Sequence, residues 1–466
     1  MNIALILILL FFLIALGLGL RARRGQNMNL EQWTVGGRSF GGLLVFLLMT
    51  GEIYTTFTLL GSSGWAYSKG GPTFYILAYT CLAYVMSYLL LPAIWRYAKQ
   101  HNLLSQSDFF TRKYDSPALG ILVALVGGAA LIPYLVLQFK GLGILVSETS
   151  YGAIPPMLAV WIGMIVMTVY VMVSGIRGSA WTAALKDVMI LGVVLFLGIY
   201  LPLHYYGGYQ SMFEAIDAAK PGFLALPDHG LGVPWFISTV ILTTLGFYMW
   251  PHTFGSAFSA KEERIFRQNA IFMPLYQLLI LFAFFVGFAA ILQVPGLTGS
   301  AGDLSLIKLS LQTFDPWLIG LIGAAGLLTA LVPGSMLLMS ASTLLAKNVY
   351  HHLRPATTAG QVSRLAKWLV PLLALVSVYF TLNGGETIVQ LLLMGYSLVT
   401  QLFPALFCSL LPRNPVTKQG AIAGILAGVA AVAALPQTVQ NLNSGVIALA
   451  VNAVAMFLVS LATRKK

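Results

Sequence analysis

Thirteen runs of apolar residues, each long enough to span a bilayer, account for most of this chain and leave few folds open to it. They fall near 2–20, 41–66, 72–95, 118–146, 155–174, 183–206, 234–257, 269–293, 316–346, 366–382, 386–411, 419–435 and 444–462. A hydrocarbon core needs about 20 apolar residues per helix. Inside it every backbone N–H and C=O must be satisfied by the protein itself, and runs this long and continuous do so as helices. Charged residues make up only 9% of the 466, against roughly 25% in a soluble domain, so lipid has to be the solvent for most of the surface. The expected fold is therefore all-α integral membrane, with thirteen transmembrane helices. No long hydrophilic stretch is present to form a catalytic head. No nucleophile, base and orienting group recur at a common depth either, so the chain does not read as an enzyme.

The loops test the number of segments. With the N-terminus outside, all but Lys69, Lys140, Lys220 and Lys308 of the 26 Lys and Arg, including Lys465 and Lys466, fall on the cytoplasmic side. Cytoplasmic loops carry an excess of Lys and Arg, and a wrong count would scramble the alternation. The expected placement is the plasma (inner) membrane, N-terminus outside and C-terminus cytoplasmic. The net charge of +12 then serves orientation. It is not interleaved with the aromatic residues of a nucleic-acid surface, so no nucleic acid and no obligate protein partner are expected beside the lipid. Arg21, Arg23 and Arg24 follow the first run, which suits a retained span better than a cleaved signal peptide. Cys81 and Cys408 lie in apolar runs and read as small buried hydrophobes. The loop 207–233 is expected to carry a short interfacial helix.

Ionisable groups in lipid are costly and point to function. The informative ones are Glu52, Lys140, Lys186 with Asp187, and His252. Glu52 sits near the middle of the second segment among Thr50, Gly51, Tyr54, Thr55, Thr56 and Thr58. A helix rich in Gly and Thr at mid-depth packs closely or unwinds, and unwinding frees carbonyls that suit a hard cation; a Glu paired for packing alone is the plainer alternative. In the seventh segment Pro251 breaks the helix between Gly246 and Gly255, and His252 follows. These are the first members of two successive sets of five, segments 2–6 and 7–11. Broken helices at matching positions are the best pointer to a transporter's binding site. Lys140 is close enough to the outer end, near Glu148, to snorkel. Lys186 and Asp187, at the inner start of the sixth segment, read equally well as a surface pair. Gln401 adjoins another break at Pro404. The hydroxyls of Thr329, Ser335, Ser340, Ser342 and Thr343 in the ninth segment are also ordinary packing groups.

From the second to the eleventh segment the chain resembles the sodium:solute symporter family. The matching stretches are GGRSFG before the second segment, FTLLGSSGWAYSKG at its end, IPYLVLQ in the fourth, SGIRGSAWTAALKD entering the sixth and ASTLLAKNVY ending the ninth. Within the family, WPHTFGSAFSAKEERIFRQNAIFMPLY is similar to the monocarboxylate (lactate, pyruvate, acetate) permeases. The resemblance implies a leucine-transporter-type core of two inverted five-helix repeats. Residues 31–206 would hold the first and 207–411 an external loop and the second, with 1–30 and 412–466 peripheral. It also implies a sodium ion between the unwound part of segment two and the hydroxyls of segment nine, held by Gly51, Tyr54 and Thr329, with Asp187 matching a family aspartate. Two departures stand out. The adjacent Ser/Thr pair expected before AKNVY falls on Val332 and Pro333, and a valine side chain offers no oxygen to a hard cation. Lys186 stands where the wider family has a neutral residue, and its ammonium could replace the cation's charge.

The expectation is cation-driven uptake of a small organic solute, a monocarboxylate, by alternating access, with no organic cofactor. Sodium is the coupling ion on family grounds, and the proton, carried by Glu52, is the alternative. Gly51, Glu52, Tyr54, Thr329 and Asp187 are the candidate cation residues; Thr55, Tyr75, Tyr79, Trp250, His252 and Gln401 are the candidate solute contacts. A symporter of a neutral or zwitterionic solute, such as an amino acid or pantothenate, is the alternative within transport. A transporter-like sensor is the alternative outside it, although only Arg464, Lys465 and Lys466 follow the last segment.

Overall fold

The computed structural model describes residues 2–25 and 28–464, without the Arg23 side chain; Lys465 and Lys466 lie outside them. Helix covers each of the thirteen apolar runs. Among the described residues, nine helices are long and apolar enough to cross a membrane, or ten if Val233–Met249 and Pro251–Ser259, bent by 52°, form one span. The chain is thus a multi-pass helical membrane protein. The difference from thirteen has local causes. Helix Pro156–Tyr206 runs for 51 residues, about 75 Å at 1.5 Å per residue, more than twice a hydrocarbon core of about 30 Å. It breaks at Gly175, where φ is 59° and ψ −172°. Only glycine takes that conformation readily, and a Cβ there would lie 2.8 Å from Trp33 Cδ1. The fifth and sixth runs meet at this break. The second run is divided into Gly42–Gly51 and a stretch from Phe57 to Lys69. The twelfth is the shorter helix Lys418–Ala434.

Helix Pro316–Leu353 is the most enclosed, with 94% of its most apolar stretch buried. It packs against Ile3–Arg23, Pro117–Thr149 and Pro156–Tyr206. Small residues allow backbones to approach closely in membranes. Here a Cβ on Gly320 would come within 2.8 Å of Ala4 Cα, and one on Gly326 within 2.6 Å of Leu145 Cδ2. The loop after Tyr206 carries the expected short helix, Tyr209–Ala219. A two-residue turn with Gln440 at φ 49° and Asn441 at φ 62° links Lys418–Ala434 to Ser444–Thr463 through a small hairpin, Thr438–Val439 with Leu442–Asn443. Positive φ at both positions matches the twist of paired strands.

The AKN of the ninth segment is tied to the short helix Gln106–Tyr114. That helix opens with a capping box between Ser105 and Asp108. Asp108 accepts the N–H groups of Leu104 at 2.8 Å and Ser105 at 3.1 Å and the amide of Asn348 at 2.7 Å, and it pairs with Lys347. Burial alone would raise the Asp108 carboxyl, but the Lys347 charge and these donors outweigh it and hold it below the ordinary carboxylate range. A depressed folded pKa means stability that is full above the unfolded value and lost as pH falls through the folded one. Wild type should therefore lose thermal stability on acidification below the ordinary carboxylate range, and Asp108→Asn should flatten that acid limb. Melting curves across pH check this; an acid limb unchanged in Asp108→Asn refutes it.

Candidate ion and solute site

Helix Gly42–Gly51 ends where a hard cation was expected. Glu52 N still reaches Leu48 O at 3.2 Å and Tyr54 N reaches Thr50 O at 3.0 Å, but Ile53 N also turns to Thr50 O at 3.0 Å, Thr55 N to Ile53 O at 2.8 Å and Thr58 N to Thr55 O at 3.0 Å. The chain resumes as a π-helical turn, Phe57–Gly61. The carbonyls of Gly51 and Tyr54 are released from the helical ladder, and the Lys186 ammonium takes both, at 3.0 and 2.9 Å. Its third neighbour is Asp187 Oδ1 at 2.9 Å. The ammonium thus donates to two carbonyls and forms an ion pair with the adjacent carboxylate. Thr50 Oγ1 donates to the other Asp187 oxygen at 3.1 Å. Lys186 and Asp187 are not a surface pair: they are 0% and 5% exposed. Thr329 does not join the cluster through its hydroxyl, which donates to Gly326 O in its own helix at 2.6 Å. Val332 flanks the break, its Cγ1 3.9 Å from where a Cβ on Gly51 would lie.

Glu52 is buried and joins the two broken helices. Its carboxylate accepts the hydroxyl of Ser256, on the short helix Pro251–Ser259. Its backbone oxygen accepts Tyr134 Oη at 3.1 Å. His252, in the first turn of the same short helix, is 2% exposed. Its Nδ1 has no hydrogen-bond partner among the described residues. The imidazole lies 5.6 Å from the Tyr134 ring and 6.1 Å from that of Trp250. From there a column of rings runs through Tyr396, 5.2 Å from Trp250, to Tyr79 at 5.7 Å and Tyr75 at a further 5.8 Å. Tyr75 contacts Trp65 and Trp235. Those two rings line a cavity of 540 Å³ with Lys69, Leu231 and Gln390, at the end that carries the loop after Tyr206. On the other side of the short helix, Pro251 and Gly255 border a gap of only 20 Å³ with Thr34, Ser340 and Thr343.

The structure therefore brings together Gly51, Glu52, Tyr54 and Asp187, and aligns Tyr75, Tyr79, Trp250 and His252. Thr55 lies at the break, its hydroxyl accepting Phe57 N at 3.1 Å. Gln401 is turned elsewhere: it donates to Ser397 O at 3.0 Å, and its side-chain oxygen accepts Asn452 of the last helix at 3.2 Å. Tyr396, five positions earlier, faces the column instead. Trp250 packs on Gly395, where a Cβ would lie 2.5 Å from its ring. Tyr396 and Ser256 carried no signal beyond residue type. Lys140 is also not beside Glu148. It pairs with Asp303 at 2.8 Å, and Glu148 pairs with Lys308 at 2.6 Å.

A model of the sodium:solute symporter family matches residues 33–428. The uncharacterized symporter YhjB of Bacillus subtilis (strain 168) is 68% identical, over 100% of this chain and 98% of its own length. A monocarboxylate transport permease protein of Rhizobium johnstonii is 28% identical over 86% of this chain and 81% of its own. Among solved structures, a substrate-bound, outward-open Na+-coupled sialic acid symporter superposes with a TM-score of 0.82 at 16% identity, covering 100% of this chain and 98% of that one. At that identity the likeness concerns the fold.

Proposed function

The chain belongs to the sodium:solute symporter family, and we propose that it is a secondary active symporter coupling a cation gradient to the uptake of a small organic monocarboxylate. The observation that carries this reading is the direct tie between two interrupted helices, Glu52 to Ser256, beside a column of buried rings. Thirteen crossings with the N-terminus outside, and two inverted repeats spanning 31–206 and 207–411 within peripheral 1–30 and 412–466, form the frame that this reading assumes.

The solute site lies among Tyr79, Trp250, His252 and Tyr396, with Tyr75 and Thr55 towards its ends. The first-turn N–H groups of Pro251–Ser259 and the imidazole attract a carboxylate there. With all three ionised, Glu52 and Asp187 outnumber Lys186 by one negative charge. A monocarboxylate brings a second, in surroundings of low dielectric where like charges repel strongly. Its binding is therefore favoured when a further cation enters, sodium by family or a proton as the alternative, and this is the coupling. Release on the other side follows when the two half-helices swing the site past the small gap at Pro251 and Gly255.

Uptake of labelled pyruvate into proteoliposomes tests the reading. Lactate and acetate should compete, and preloaded pyruvate should give counterflow, which a channel does not. Competition by proline or pantothenate in place of the short carboxylates would move the solute to the neutral or zwitterionic class. Saturable binding without counterflow would mark a sensor.

A further inference from the structure

We propose that the ammonium of Lys186 occupies the place of the sodium ion in the second-segment break, so that this transporter neither binds nor needs sodium there. The inference rests on the symport reading and deepens it. The two carbonyls that would ligate the ion, Gly51 O and Tyr54 O, lie 3.0 and 2.9 Å from Lys186 Nζ. The nearest carboxylate oxygen, on Asp187, is 2.9 Å from the same atom. A sodium ion bound to these oxygens would share their centre with a fixed positive charge. The opposite wall offers no substitute. Val332 presents a methyl group towards Gly51, Pro333 has no hydroxyl, and Thr329 and Ser335 donate to carbonyls of their own helix at 2.6 Å each. A hard cation selects oxygen ligands; the two carbonyls are held by the Lys186 ammonium, and these hydroxyls are turned onto their own helix. Lys186 is fully enclosed at 0% exposure, where an unpaired ammonium would be very unfavourable. The break supplies the acceptors that make it tolerable. The lysine is then a tethered cation that holds the broken segment to the sixth, the task a sodium ion would perform.

Binding can be read without transport. Purified wild-type protein should melt at the same temperature in sodium chloride and in choline chloride at equal pH and ionic strength, and should retain no radioactive sodium. The variant Lys186→Ala with Val332→Ser and Pro333→Ser removes the ammonium and adds a hydroxyl pair; it should retain sodium and be stabilised by it. In proteoliposomes at fixed pH and voltage, wild-type pyruvate uptake should change by less than about twofold, or about 0.4 kcal/mol, when choline replaces sodium. Wild-type protein that retains sodium, or whose uptake collapses in choline, overturns the inference. So does a folded variant that stays indifferent to sodium. If the triple variant does not fold, Lys186→Met takes its place: a melting temperature well below that of wild type supports the role of Lys186 as the tethered cation of this break, and one equal to wild type overturns it. If no carboxylate is moved under any condition, the symport reading fails, and melting and sodium retention still decide the role of Lys186.

Discussion

Replacing Asp303 by alanine should destabilise the protein by about 3–5 kcal/mol, the cost of breaking a buried ion pair from one side. Asp303 is 1% exposed. One of its oxygens accepts both Lys140 Nζ at 2.8 Å and Ile388 N at 3.1 Å. Lys140 in turn donates to Glu386 O at 2.7 Å. The loop carrying Asp303 also lies on the outer half of the second segment so closely that a Cβ on Gly64 would be 2.9 Å from Asp303 Cα. One carboxylate thus binds the fourth segment to the start of Ile388–Val399, while its loop packs on the second. Removing it strands a mostly buried ammonium and frees a first-turn N–H. Lys140→Met in the Asp303→Ala background should recover much of the loss, because the stranded charge is then gone. Unfolding of the single and double variants, read as a mutant cycle, measures the coupling. A loss under about 1 kcal/mol in Asp303→Ala would show that the pair behaves like an exposed one.

The breaks were legible because their causes are local. Gly51 with its threonines, and Pro251 with its missing donor, interrupt a helix wherever it runs, and both interruptions lie where the sequence put them. The depth of Lys186 was not legible. Beginning the sixth segment at 183 leaves this ammonium at the membrane surface. The polar run from Ser174 to Thr182 suggests a loop, but its hydroxyls bond back into the helix: Ser174 donates to Tyr170 O at 2.7 Å and Ser179 to Gly175 O at 3.2 Å. Side chains that satisfy themselves in this way are compatible with helix. The turn is at Gly175, so Lys186 is about 16 Å along the following helix at 1.5 Å per residue. The pairings of Lys140 with Asp303, of Trp250 with Tyr396 and of Gln401 with Asn452 join residues far apart in the chain, and periodicity has nothing to say about them. Residue type indicated that a buried lysine or glutamine needs a partner; only the fold says which one.

Glu52→Gln should abolish most concentrative uptake while leaving exchange intact. Glutamine has nearly the shape of glutamate, and its side-chain oxygen can still accept the Ser256 hydroxyl, so the tie between the broken helices survives. What disappears is one negative charge. With Lys186 and Asp187 then balanced, a carboxylate solute no longer needs an accompanying cation to enter. Pyruvate should bind more tightly in the absence of the driving cation, and that cation should improve its binding little. Coupling free energies between sites usually correspond to about 5–150-fold, and gradient-driven accumulation should fall by a factor in that range while counterflow continues. Glu52→Ala separates the charge from the hydrogen bond: it also frees Ser256, and should lower stability as well as coupling. A purely structural Glu52 would give the opposite pattern, with Glu52→Gln keeping full accumulation ratios. Retained uphill accumulation by Glu52→Gln under the same ion gradient would remove the carboxylate from coupling and leave the aromatic column and the half-helix to select the solute without it.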